Sequence, residues 1–290
     1  MKNNKDRAVV FMLFGQSNAV GHAVPMTEED RITVPLKNVF GLSRELNQSY
    51  DNHRLDWSGY LSAGMNLAET QDDTYSVANC LARQWQDAID AGRELPDLYI
   101  IHIAIGAQGV TEKYMWYPER APRLVPGPLG TVDISLYPFA LNILALVGAS
   151  FRELGKTPEF LMHWRGGEED TCTHVEQLEC VIEDIYIRMF AGFYSALGTK
   201  IPLVLHYMPF YERAMETDPS GEAWRSMQYI NTVFEKLARE NDNISVFDPR
   251  RAPFYDPDTR EHNLYISDAV HFTPQTNAWV ASEILRGFTE

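Results

Sequence analysis

The chain predicts an α/β protein, a three-layer α/β/α sandwich around a central five-stranded parallel sheet. Short apolar runs alternate with longer segments of helical periodicity along the 290 residues, as strand–helix units do. The runs are nearly continuous rather than alternating in apolar character, which suits strands covered on both faces. Glycine or proline punctuates most of the helix boundaries.

The first strand is Val9–Phe14, within the apolar run Ala8 to Phe14. Gly15 and small polar residues follow it, the signature of a buried strand ending in a tight turn. Further strands are expected over 38–42, 98–104, 159–164 and 202–207, with a later short run at 244–247. A helix over 75–91 places Val77, Leu81, Trp85 and Ile89 on one face and ends at Gly92. The next, 138–154, begins at Pro138 and stops at Gly155, a proline-in, glycine-out arrangement. Over 174–197, Val175, Leu178, Val181, Ile182, Ile185, Met189 and Phe193 form an apolar stripe closed by Gly198. Thr173 and Glu176 have the spacing of a capping box at its start. Helices over 221–240 and 274–288 follow, the last with Thr273 as cap and Pro274 in its first turn.

No internal repeat or low-complexity tract interrupts this order, so residues 1–290 read as one domain with long insertions at about 43–74 and 107–136. Segments of that length are usually functional or disordered. Both follow predicted strands and should rise from the carboxyl edge of the sheet. Tyr114, Trp116 and Tyr117 in the second insertion either wall a ligand site or pin the loop to the body.

Composition narrows the function classes. A net charge of −15 and a pI near 4.9 argue against nucleic acid or an anionic membrane as partner. No apolar run reaches membrane-spanning length. The seven apolar residues after the basic start are too few for a secretory signal, so a cytoplasmic location is expected. Cys80, Cys172 and Cys180 form no metal pattern and are expected as free, mostly buried thiols. His163, His174, Glu168 and Asp170 lie close together but lack His-x-x-x-His spacing. Neither a metal nor another cofactor is expected.

Open α/β sheets bind ligands beyond the carboxyl ends of their strands, and the turn after the first strand presents Ser17 there. A serine hydroxyl is a poor nucleophile unless a neighbouring base takes its proton. Histidine exchanges a proton near neutral pH, and His271, in Asp268-Ala269-Val270-His271 before the last helix, is the candidate base. Asp268 can reach its second ring nitrogen if the chain turns between them. The plainer alternatives are a helix N-cap for Ser17 and a surface residue beside a helix cap for His271.

Three ordered blocks carry a resemblance. They are Gly15-Gln16-Ser17-Asn18, Trp164-Arg165-Gly166-Gly167-Glu168-Glu169-Asp170, and Asp268-Ala269-Val270-His271. Together they resemble the SGNH hydrolase superfamily, and within it the sialate O-acetylesterase-like carbohydrate esterases. The family's middle block reads Trp-x-Gln-Gly-Glu-x-Asp, so Gly166 stands where the family has Gln. The resemblance implies the flavodoxin-like SGNH hydrolase fold and a metal-independent carbohydrate O-acetylesterase acting on an acylated carbohydrate. It implies Ser17 as nucleophile, His271 as base and Asp268 as its orienting acid. The oxyanion donors would be the N–H groups of Ser17, Gly106 and Gly166, with Gln16, Asn18, Arg165 and Glu168 in support. With no side chain at Gly166, a guanidinium from Arg165, a backbone N–H, Gln16 or Asn18 would have to substitute. Asp170 is expected to be structural. A non-catalytic glycan-binding module, or a lipase or thioesterase of the wider superfamily, is the alternative.

Overall fold

The computed structural model describes residues 6–48, 52–68, 73–119, 135–209, 215–216 and 218–289. The run Ala8–Phe14 becomes the middle of β1 (Arg7–Gly15), and β1 is the centre of the sheet. The other strands are β2 (Val39–Leu42), β3 (Trp57–Gly59), β4 (Asp97–Ala104), β5 (Thr157–Arg165), β6 (Leu203–His206) and β7 (Ile244–Phe247), in the order β3-β2-β4-β1-β5-β6-β7. The five strands β2-β4-β1-β5-β6 are parallel, as expected. The sheet extends by one more parallel strand, β7, and by a short antiparallel strand, β3, at the opposite edge.

The side chains of β1 explain why its apolar run is unbroken. Ala8, Val10, Met12 and Phe14 enter one core layer and Val9, Phe11 and Leu13 the other, all fully buried. The first layer packs α4 (Leu136–Glu153), α5 (Val175–Leu197) and α6 (Glu222–Glu240) on the sheet. The second packs α1 (Ser17–Val20), α3 (Val77–Asp90) and α7 (Pro274–Arg286). A one-turn helix α2 (Arg44–Asn47) and strand β3 both lie within the first insertion. Residues 49–51 and 69–72 of that insertion, and 120–134 of the second, lie outside the described residues.

Helix ends follow the sequence closely, although α4 begins at Leu136, two residues before Pro138, and one expected cap fails. Thr273 caps α7 by accepting from Thr276 N at 3.1 Å, and Gly198 closes α5 in the left-handed conformation. The capping box at Thr173 and Glu176 does not form, because His174 occupies the cap position. Glu222 of α6 accepts from Val175 N at 2.6 Å instead, and Ser226 donates to Thr173 O. A tertiary carboxylate supplies the acceptor that the local pattern promised.

Candidate active site

The register of the sheet brings three chain ends together. Gly15 pairs with Ala104 of β4 and Arg165 of β5, so the turns after these strands emerge side by side. Gly15 has φ +147°, and a Cβ there would collide with Arg165 O, so only glycine serves. Gln16 N donates to Arg165 O at 3.0 Å, and Ser17 opens α1 directly above. Ser17 is 8% exposed. Because α1 is a single turn, the helix-dipole contribution expected of this position is small. The N–H groups of Ser17, Gly106 and Gly166 find no acceptor among the described residues. The position a Cβ would take on Gly106 lies 3.7 Å from Ser17 Cβ.

Asn18 joins the first turn to the far end of the chain. Its Nδ2 donates to Val270 O at 3.1 Å, and its Oδ1 accepts from Phe272 N at 3.1 Å. The carboxamide thus holds both neighbours of His271 across more than 250 residues. Within the third block, His271 Nδ1 meets Asp268 Oδ2 at 2.6 Å. Asp268 Oδ1 accepts from Val270 N at 2.8 Å and His271 N at 2.9 Å. Ala269 at φ 55° makes the turn that closes this ring of bonds. Burial raises the pKa of the Asp268 carboxyl, but these hydrogen bonds outweigh it and hold the group below the usual carboxylate range. The structure therefore brings together Ser17, Asn18, Gly106, Asp268 and His271 at one sheet edge.

Glu168 lies against the turn that carries Ser17. Its two oxygens accept from Gln16 Nε2 at 2.5 Å and Asn18 Nδ2 at 2.8 Å, which fixes both amides flanking Ser17. Asp170 is fully buried, and its side chain caps no helix but binds a neighbouring loop. Its carboxylate accepts from Val110 N at 3.0 and 3.1 Å and from Thr111 N at 3.1 Å. It thereby clamps the loop carrying Gly106 to the loop carrying Glu168. Burial pushes its pKa up to about 6, against the pull of those N–H groups. Gly109 has no side chain because one would overlap the Asp170 carboxylate.

Two expectations are corrected. Arg165 does not fill the place left open at Gly166. Its guanidinium is buried in the layer under α7, 4.6 Å from the Phe272 ring centre, and donates to Asn277 Oδ1 at 3.1 Å. Alternation along β5 puts it on the face opposite Trp164, where it props the His271 loop from behind. At Gly166 a Cβ would lie 3.1 Å from the Trp164 indole, so that ring crowds the space where a side chain would start. Among the cysteines, only Cys80 is buried, whereas Cys172 and Cys180 are exposed. Desolvation lifts the Cys80 thiol to about 12, an inert group.

The aromatic residues of the second insertion pin it. Trp116 is fully buried, stacks on Phe14 at 5.8 Å and donates to Gly15 O at 3.0 Å. Tyr114 donates to Glu169 O and Oε1 at 3.2 and 3.0 Å. Sequence reasoning passed over Asn277 and His22, whose roles arise only from distant contacts. Among the described residues, no group of three or more metal-ligating side chains converges, and no helix is long and apolar enough to cross a membrane.

The order and layering of this open α/β sheet are those of the SGNH hydrolase fold. The chain is similar over 98% of its length to NanS, at a TM-score of 0.62 and 16% identity, covering 97% of that protein. It is also similar to Axe2, an acetylxylan esterase from Geobacillus stearothermophilus (TM-score 0.47, 14% identity, 100% of this chain and 97% of that one). Est24, a carbohydrate acetylesterase from Sinorhizobium meliloti, gives a TM-score of 0.45 at 13% identity, covering 97% of this chain and 100% of that one. No family model matches the chain, and no curated protein does.

Proposed function

We propose that the protein is a serine esterase that removes short acyl groups, foremost O-acetyl, from a carbohydrate. The observation that carries the proposal is the Asn18 clamp on Val270 and Phe272, which sets His271 beside the nucleophile turn while Asp268 holds its Nδ1. With Nδ1 engaged by the carboxylate, Nε2 is the nitrogen left to serve as base.

In this scheme Ser17 Oγ attacks the acyl carbonyl carbon and its proton passes to His271. The carbonyl π pair moves onto oxygen, and the resulting oxyanion accepts from the N–H groups of Ser17 and Gly106. Collapse expels the sugar alkoxide, which takes the proton from His271 and leaves an acyl-enzyme on Ser17. Water then gives a proton to His271 and adds to the acyl carbon. A second collapse returns that proton to Ser17 and releases the carboxylic acid. Asp268 stays ionised throughout and stabilises the imidazolium.

The carbohydrate part rests on the resemblance and on polarity. Gln16, Asn18 and Glu168 flank the nucleophile. A polar cleft of about 510 Å³ opens where the second insertion meets the start of α5, lined by Thr111, Lys113, Thr173, His174 and Gln177 among others. The test is Ser17→Ala, expected to abolish hydrolysis of p-nitrophenyl acetate with the circular dichroism spectrum unchanged. Undiminished turnover would end the proposal. A chain-length series of nitrophenyl esters should show a steep preference for acetyl, whereas a preference for long chains would favour a lipase.

A further inference from the structure

His22 follows the nucleophile turn. Its N–H closes α1 by donating to Ser17 O at 2.9 Å, and the next residue, Ala23, sits at φ 61°. That left-handed backbone is costly for a residue with a side chain and tends to occur where surrounding structure demands it. Here it turns the chain so that the His22 ring lies against the His271 ring, with centroids 5.1 Å apart at 56°. His22 Nδ1 is buried and meets no hydrogen-bond partner. A buried polar atom without a partner calls for an explanation, since it forfeits its hydration with no return.

The surroundings of that nitrogen supply one. The gap that a side chain on Gly106 would enter lies 4.0 Å from His22 Nδ1 and 3.7 Å from Ser17 Cβ. The Ser17 and Gly106 N–H groups, the oxyanion donors of the proposed scheme, are likewise spared from the backbone network. The other side chains near Ser17 are committed. Gln16 and Asn18 donate to Glu168, and Arg165 is held under Phe272. An alkoxide oxygen accepts up to three hydrogen bonds; the Ser17 and Gly106 N–H groups leave one lone pair open, for which the spared Gly166 N–H is the competing backbone donor.

Resting on the esterase reading, we propose that His22 is a catalytic residue, donating a hydrogen bond from Nδ1–H to the acyl oxygen as it becomes an oxyanion. No proton is transferred. The imidazole, in the tautomer protonated on Nδ1, acts alongside the two backbone N–H groups, and its unpaired state in the free protein is the state awaiting that oxygen. Because the charge develops only in the transition state, the contribution falls on kcat rather than KM.

A crossed pair of variants tests this on the full chain with p-nitrophenyl acetate. His22→Asn places an amide N–H near the Nδ1 position without the ring, and His22→Phe keeps a ring against His271 without a donor. The expected result is a loss of about 10²–10³-fold in kcat for the Phe variant with KM little changed, and substantial recovery in the Asn variant. The reverse order, with Phe active and Asn impaired, would show that the ring merely packs on His271 and would overturn the inference. So would full activity in both, or equal loss in both with unaltered thermal unfolding. Wild-type activity lost in Ser17→Ala keeps the esterase reading standing whichever way the His22 pair falls. An inert wild type removes that reading and this one together.

Discussion

Asp268 is the residue on which the charge state of the site depends. Its carboxylate accepts from two backbone N–H groups and the imidazole, and these bonds hold its pKa below the usual range despite partial burial. Asp268→Asn removes the charge that stabilises the imidazolium and allows the wrong tautomer, and should cost about 10⁴-fold in kcat. The linkage has a definite sign. A depressed carboxylate pKa contributes stability above its unfolded value, and that contribution disappears as pH falls through the folded value. Denaturant midpoints measured from about pH 7 down to about pH 3 should therefore show the wild type losing ground to Asp268→Asn on the acid side. The side chain is 37% exposed, so solvent screens the effect. The contact between Asp268 and His271 was legible in the sequence because it is local, within one short motif. His22 was not, since an unpaired nitrogen becomes visible only once Gly106 and His271 surround it.

At the scale of elements, the site is an agreement between loops made by a few side chains. Asn18→Ala removes the clamp on the segment 270–272 and frees His271 from its register with the nucleophile turn. A displacement of about 1 Å there should lower kcat about 100-fold, measured against Ser17 labelling by a phosphonate, which should slow in parallel. Thr273 is the next restraint, capping α7 two residues after His271. Thr273→Ala should cost about 0.5–2 kcal/mol in chemical denaturation. This cap was readable from Thr273-Pro274, because donor and acceptor lie within one turn. The box at Thr173 and Glu176 looked equally sound and does not form, since Glu222 reaches Val175 N first. Strand β3 was also invisible: Trp57-Ser58-Gly59 has neither length nor alternation, and only pairing with β2 makes it a strand.

Across the whole molecule, the nucleophile turn is supported from inside the core. Phe14, Trp116, Trp164 and Phe193 form one aromatic group beneath Ser17, with Phe14–Trp116 stacked and Trp116 edge-on to Trp164 at 5.1 Å. The near-continuous strands made a parallel sheet covered on both faces predictable in outline. Whether Trp116 faced a ligand or the interior was undecidable without knowing that Gly15 O would lie within its reach. Trp116→Ala should cost about 3–5 kcal/mol through the cavity it leaves, and would report on packing alone. Trp116→Phe is the sharper variant. It keeps most of the aromatic contact but leaves Gly15 O without the indole N–H at the place where the chain turns upward to Ser17. Its stability loss should be about 1 kcal/mol, read from the denaturant midpoint. Its loss in kcat should exceed what that destabilisation explains, because the protein stays folded under assay conditions while the turn shifts. Equal activity in Trp116→Phe and wild type would mean that Arg165 O and Gln16 N hold the turn unaided, and that the second insertion is attached to the site without supporting it.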